Sequence, residues 1–134
     1  MAWSILNDMG CDPADLATIV TAIGNHDEGT GVPVNAVSAA MFLADKADVR
    51  RSRVRNQDML TFDIHDRVNY SVKHSLLQIS EEKNKITLYL TIDTAYGSVM
   101  DYFEIFLQRM VLCRKAAEKL GLKFKLIIND QELL

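Results

Sequence analysis

The stretch KITLYLTID, residues 85–93, alternates apolar and polar residues without interruption. A period of two predicts a half-buried strand, because successive side chains of a strand point to opposite faces. The predicted core face carries Ile86, Leu88, Leu90 and Ile92, and the other face carries Thr87, Tyr89 and Thr91. Residues 73–80 form the predicted partner strand, and residues 81–84 (EEKN) form the hairpin turn between the two.

A long helix follows this hairpin. Apolar residues recur at steps of four and three between Gly97 and Leu120, and Gly121 is placed to end the helix. Residues 122–128 then alternate again, so the second half is predicted to be a ββαβ unit with the helix on the apolar face of the sheet. The amphipathic second face of this sheet predicts a homodimer through the ββαβ unit.

The first half has helical periodicity instead. Asp12 and Pro13 begin a helix that ends at Gly24, and Asn35 caps the next one. In that next helix we expect Val37, Ala40, Met41 and Ala44 to face inward. Residues 50–55 are interpreted as a helix end, and a short helix is predicted over residues 65–72. The predicted fold class is α+β, with a helical segment at 1–72 and a ββαβ C-terminal domain at 73–134.

Composition limits the possible functions. The chain has 134 residues, is 49% hydrophobic and carries a formal charge of -3, which is typical of a globular protein and disfavours nucleic-acid binding. The apolar runs are too short to span a membrane, and no signal peptide is recognised at the start. Cys11 and Cys113 have no CxxC spacing, so we interpret them as thiols in a reducing, cytoplasmic protein.

Two short stretches contain the side chains suited to chemistry. His26, Asp27 and Glu28 open a Gly-rich loop, and Asp45, Lys46 and Asp48 lie near the end of the next predicted helix. Imidazole and carboxylate groups are the ligands that a divalent transition metal uses to activate water. Spacing alone also fits a solvated turn and surface charges, and it favours that simpler interpretation.

The segment from Ile23 to Val54 resembles the later part of bacterial HD-superfamily metal-dependent phosphohydrolases, such as the HD-GYP phosphodiesterases. It contains NHDEGTGVP, then LADKAD, then RRSRV. In these relatives a late histidine precedes a Gly-Thr-Gly-x-Pro-like loop, and an aspartate in an apolar-Ala-Asp context follows about one helix later. His26 matches that histidine, and Asp45 matches that aspartate.

The resemblance implies hydrolysis of a phosphate ester with a divalent metal, which could be manganese, iron, nickel, cobalt or zinc. In this hypothesis His26 and Asp45 bind the metal and Lys46 approaches the substrate phosphate. Asp27 and Asp48 would support the metal ligands through hydrogen bonds. No residue is assigned as the catalytic acid or base.

The early histidine and the His-Asp pair of that family are not found in the sequence before His26. We therefore interpret the chain as a C-terminal fragment that is inactive alone, whose full-length protein binds a phosphorylated small molecule. The alternative is a non-catalytic regulatory or dimerisation module. The arginines of 50–55, with Arg50 and Arg51 foremost, fit either a phosphate clamp or a solvated helix end, and the second interpretation is favoured.

Overall fold

The computed structural model describes residues 1–27, 31–56 and 58–133, and it confirms the predicted α+β class. The helices are α1 (Ala2–Asp8), α2 (Pro13–Gly24), α3 (Ala36–Ala47), α4 (Ile64–Ser71) and α5 (Val99–Lys119). The strands are β1 (Val72–Ile79), β2 (Lys85–Ile92), β3 (Lys123–Ile128) and β4 (Gln131–Glu132), and two short 3-10 turns cover Arg51–Arg53 and Met59–Thr61.

The sheet is mixed, with the strand order β1-β2-β3-β4. The predicted hairpin pairs β1 and β2 antiparallel, whereas β3 runs parallel to β2 after the chain passes through α5. β4 adds a short antiparallel edge that the periodicity did not predict. In this register Leu88 lies between Leu77 and Leu126, so the apolar residues of three strands share one face.

Two helices cover that apolar face. α5 buries Phe106, Met110 and Cys113 at the predicted four-and-three spacing, and it also buries Tyr102, whereas the spacing had selected Phe103, which is half-buried. α3 lies beside α5 and reaches β1, where the Ser75 hydroxyl donates to the Ala47 carbonyl at 2.5 Å. The face predicted for β2 is confirmed, because its four apolar residues are all buried.

The orientation of α3 differs from the prediction. Asn35 does cap this helix, since its side chain accepts from the Ser38 backbone N–H at 2.8 Å. However, Val37 is 48% exposed and Ala40 and Ala44 are exposed, so the predicted inward face is wrong. The residues that α3 buries are Ser38, Ala39, Phe42, Leu43, Lys46 and Ala47. Alanines do not distinguish the faces of a helix by hydropathy, whereas burial of Phe42 and Leu43 removes far more apolar area from water.

One cluster of buried side chains joins both halves of the chain. Phe42, Val49 and Val68 from the helical half pack in the same cluster as Leu88 and Phe106 from the ββαβ half. The boundary at residue 72 coincides with the start of β1, and the division into two domains stays a prediction.

Helix α1 and the arginine run after α3 lie outside the core. α1 buries none of its residues. α3 ends at Ala47, so the arginines of 50–55 follow the helix instead of forming its last turn. No helix within the described ranges has the length and apolarity to cross a membrane.

Candidate anion-binding cleft

Three helices meet at a polar cleft of about 300 Å³. The charged side chains of the cleft come from α3, from the residue that follows it, from the turn Arg51–Arg53 and from α5. Helix α4 contributes an amide. The residues that line the cleft are Asp45, Lys46, Asp48, Arg53, Asn69 and Arg109. Among the described residues, three cations and two carboxylates therefore line the cleft.

Asp45 and Lys46 form the pair on α3. The Lys46 ammonium donates to the Asp45 carboxylate at 2.7 Å, and the lysine side chain is only 8% exposed. Burial acts to raise the pKa of Asp45, but the hydrogen bond from Lys46 and the positive charges of Lys46, His26 and Arg109 outweigh it. The pKa of Asp45 consequently lies below its ordinary value, and the carboxylate stays ionised at neutral pH.

Asp48 connects α3 to the arginine turn. Its two carboxylate oxygens lie 2.8 Å from the Arg50 and Arg53 guanidinium groups, one on each oxygen. The hydrogen bond that Arg53 donates to Asp48 is the main reason that the pKa of Arg53 is raised. This pairing holds Arg53 at the cleft, where a guanidinium with five donor hydrogens uses one of them on Asp48.

Arg109 and Asn69 are cleft residues that the sequence interpretation missed. Arg109 stacks on Phe106 of the same helix, with its guanidinium carbon 4.2 Å from the ring centroid. The Asn69 amide donates to the His65 carbonyl at 2.9 Å on α4. One feature of the sequence could have indicated Arg109. It is a cation at the edge of the apolar face of the predicted long helix, four residues after Ile105 and three residues before Leu112.

His26 and Asp27 lie in the loop after α2. The His26 Nδ1–H donates to the Ile23 carbonyl at 2.5 Å. The charge of His26 is one of the smaller causes of the lowered pKa of Asp45, after the hydrogen bond and the charge of Lys46. The Asp27 side chain is exposed, and its carbonyl accepts from the Gly31 N–H. Glu28 lies outside the described residues.

Arg51 occupies a different place from the other predicted site residues. Its guanidinium carbon lies 4.2 Å from the Tyr70 ring centroid and 5.2 Å from the Tyr96 centroid, and its Nε donates to the Tyr70 carbonyl. A carboxylate oxygen of Asp93 lies 3.7 Å from a terminal guanidinium nitrogen of Arg51. Arg51 thus fastens the arginine turn to α4 and the β2–α5 connection, and it does not line the cleft.

The described residues do not by themselves fit the divalent metal that the resemblance implies. His26 and Asp45 supply two ligands, and no three His, Cys, Asp or Glu side chains are grouped as a metal site within 1–27, 31–56 and 58–133. Catalytic metals usually take three protein ligands. In addition, the Lys46 ammonium lies against the Asp45 carboxylate and competes with any cation there.

Comparisons of the chain with protein-family models, curated proteins and solved structures give no match.

Proposed function

We propose that this chain binds a phosphorylated small molecule in the cleft between α3, α4 and α5. The observation that carries the proposal is the convergence of Lys46, Arg53 and Arg109 from three separate elements on one polar cavity. Arginine recognises phosphate through paired N–H donors, and lysine adds a compact positive charge. Two arginines and a lysine around one cavity therefore favour a multiply charged anion over a neutral ligand.

The carboxylates of the cleft have a positioning role in this proposal. Asp48 holds Arg53 at the rim, and Asp45 holds Lys46 in a position where its side chain is almost fully buried. A buried ammonium without a counter-charge is costly, so Asp45 makes this position of Lys46 possible. Lys46, Arg53 and Arg109 line the same cavity, and a phosphate dianion would be drawn to cations that lie together.

Binding without turnover is the activity that we assign to the chain alone. The resemblance to metal-dependent phosphohydrolases supports a phosphate ester as the ligand class. Hydrolysis would need metal ligands beyond His26 and Asp45, which the described residues do not supply. Membership of that enzyme family, the metal and a cytoplasmic location stay predictions.

Phenyl phosphate tests the proposal, with phenol as the neutral comparison. Titration by calorimetry and by NMR shifts of the arginine Nε–H signals should give binding of phenyl phosphate and none of phenol. Arg109→Gln should weaken that binding about tenfold or more, because a hydrogen bond to a charged group contributes roughly 1.5–3 kcal/mol. Arg109→Lys should recover only part of the loss, since lysine keeps the charge without the paired donors.

Arg55→Gln is the matched control, because Arg55 belongs to the same arginine run but is exposed and outside the cleft. It should bind phenyl phosphate like the wild type. Equal losses in the Arg55 and Arg109 variants would reduce the effect to general charge attraction and contradict a specific site.

Metal titration addresses the predicted ligand pair separately. We expect manganese and zinc to bind the wild-type chain no more tightly than a His26→Ala, Asp45→Ala double variant. Stoichiometric binding that is lost in the double variant would instead make these two residues part of a working metal site, and phosphatase activity would then be assayed with that metal.

A further inference from the structure

Within the part of the chain that the structure describes, helix α5 packs against the sheet, α3 and α4, and one of its sides is exposed. One side packs on the sheet and a second on α3, while the third faces solvent. Along this third side the residues are spaced alternately by four and three, which is the heptad spacing of a helix that packs against another helix. They are Met100, Glu104, Leu107, Val111, Arg114 and Glu118. We name this set the free face of α5.

The free face is apolar at its centre and charged on either side. Leu107 is 57% exposed and Met100 is 74% exposed, which is unusual for large apolar side chains on a regularly spaced stripe. Between Leu107, Met110, Val111 and Arg114 lies a hollow of about 120 Å³. These four residues have the i, i+3, i+4, i+7 arrangement of the hole that receives a side chain of a second helix.

We propose that the free face binds the same face of a second copy of this chain, with the two α5 helices antiparallel around a two-fold axis. An axis at the level of Arg109 places Leu107 opposite the partner's Val111. The same axis places Glu104 opposite the partner's Arg114, and each of these contacts occurs twice. A face that is complementary to itself in both charge and apolar character is what a two-fold dimer requires.

A groove beside the helix extends this surface. It has a volume of about 560 Å³, an apolar floor formed by Leu122 and Phe124, and a rim formed by Arg114, Glu118 and Lys123. The proposed axis brings the partner's Met100 opposite Glu118, at the edge of this groove. Methionine adapts to irregular apolar spaces, so it suits this position.

The other exposed face of the sheet is a weaker candidate for the same contact. Leu76, Tyr89 and Ile127 form an apolar row across its strands. The row is flanked by Lys85, Lys123 and Lys125, with Glu132 as the acidic neighbour of Lys125. Two copies joined through this face would bring like charges together, which disfavours association.

Sedimentation equilibrium with charge-reversal variants tests the proposal. A single pair of helices buries an area near the lower limit for specific interfaces, so we expect a weak dimer that forms at a protein concentration of about 100 μM. Glu104→Arg alone and Arg114→Glu alone should each weaken the dimer about tenfold or more, since each places like charges opposite each other twice. An equimolar mixture of the two single variants should form a heterodimer, because both charge pairs are then restored.

Leu107→Glu and Tyr89→Lys separate the two faces. Leu107→Glu should abolish the dimer, and Tyr89→Lys should leave it intact, with circular dichroism used to verify that each variant is folded. A monomeric wild type at this concentration would overturn the proposal. So would a mixture of the charge variants that stays monomeric, or a dimer that is lost in Tyr89→Lys and retained in Leu107→Glu.

Discussion

Gly31 illustrates how close packing can require glycine at a single position. It is buried, and its N–H donates to the Asp27 carbonyl at 2.7 Å. A Cβ atom at this position would lie 2.2 Å from the Asp27 carbonyl oxygen and 2.6 Å from the Phe42 ring. Only glycine fits at position 31 without displacing backbone, so this position has a steric reason to be glycine.

Substitution of this residue gives a prediction. Gly31→Ala should lower the free energy of unfolding by about 1–3 kcal/mol, the usual cost of forcing an extra group into a packed site. Urea unfolding followed by circular dichroism measures the change. Gly24→Ala is the control, because nothing lies within 4 Å of a Cβ there. Gly24 is the last residue of α2, so this variant should be unchanged or up to about 1 kcal/mol more stable. Equal destabilisation of both variants would contradict the steric argument.

Helix α5 begins with a reciprocal pair of capping hydrogen bonds. Ser98 accepts from the Asp101 backbone N–H at 3.0 Å, and the Asp101 carboxylate accepts from the Ser98 N–H at 2.7 Å. This reciprocal capping box satisfies two donors that the helix cannot satisfy itself. Hydrogen bonds from the backbone and side chain of Ser98 lower the pKa of Asp101. The helix that presents Arg109 and the free face thus begins at a defined residue.

The capping box predicts a pH dependence. Because the pKa of Asp101 is lower in the folded than in the unfolded chain, its stabilisation is present above the unfolded pKa, about 3.9 for an aspartate. It is lost as the pH falls through the folded value. Asp101→Asn should therefore be less stable than the wild type at pH 7, and the difference should shrink as the pH approaches 2 in thermal unfolding scans. Asp130→Asn, at an exposed position between β3 and β4, is the control. A difference that is constant with pH would contradict this account.

At the scale of the whole molecule, one core supports both halves of the sequence. Phe42 from α3 is fully buried in the same cluster as Leu88 from β2 and Met110 from α5. The cleft lies where α3, α4 and α5 meet, so its geometry depends on contacts between the two halves. Unfolding of one half should consequently expose the apolar surface of the other.

Hydrogen exchange tests this shared core. Phe42→Ala should destabilise the protein by about 3–5 kcal/mol, because it leaves a cavity at a fully buried aromatic position. The loss should be equal for amides of α3 and of β2, since both open in one cooperative event. Leu60→Ala is the control, because Leu60 is 95% exposed. Reduced protection in α3 with unchanged protection in β2 would instead favour independent domains at 1–72 and 73–134.

The sequence by itself determined most of the elements and many of their ends. The alternation of residues 85–93, the stepwise apolar spacing of α5 and the caps Asp12 and Asn35 are visible from neighbours two to four residues apart. Local propensity and periodicity act over the same short distances, so they predict these features well. The inward face of α3 was one exception, since its alanines are compatible with either face, and the short strand β4 was another.

Only the tertiary structure decided which charges meet. Arg109 reaches the cleft of Asp45 because α3 and α5 pack side by side on one face of the sheet, although the two residues are far apart in the sequence. Likewise, Arg51 turns toward Tyr70 while its neighbour Asp48 holds Arg53 at the cleft. The physical reason is that packing depends on the volumes and directions of whole faces, and no pattern of adjacent residues encodes which two faces will lie together.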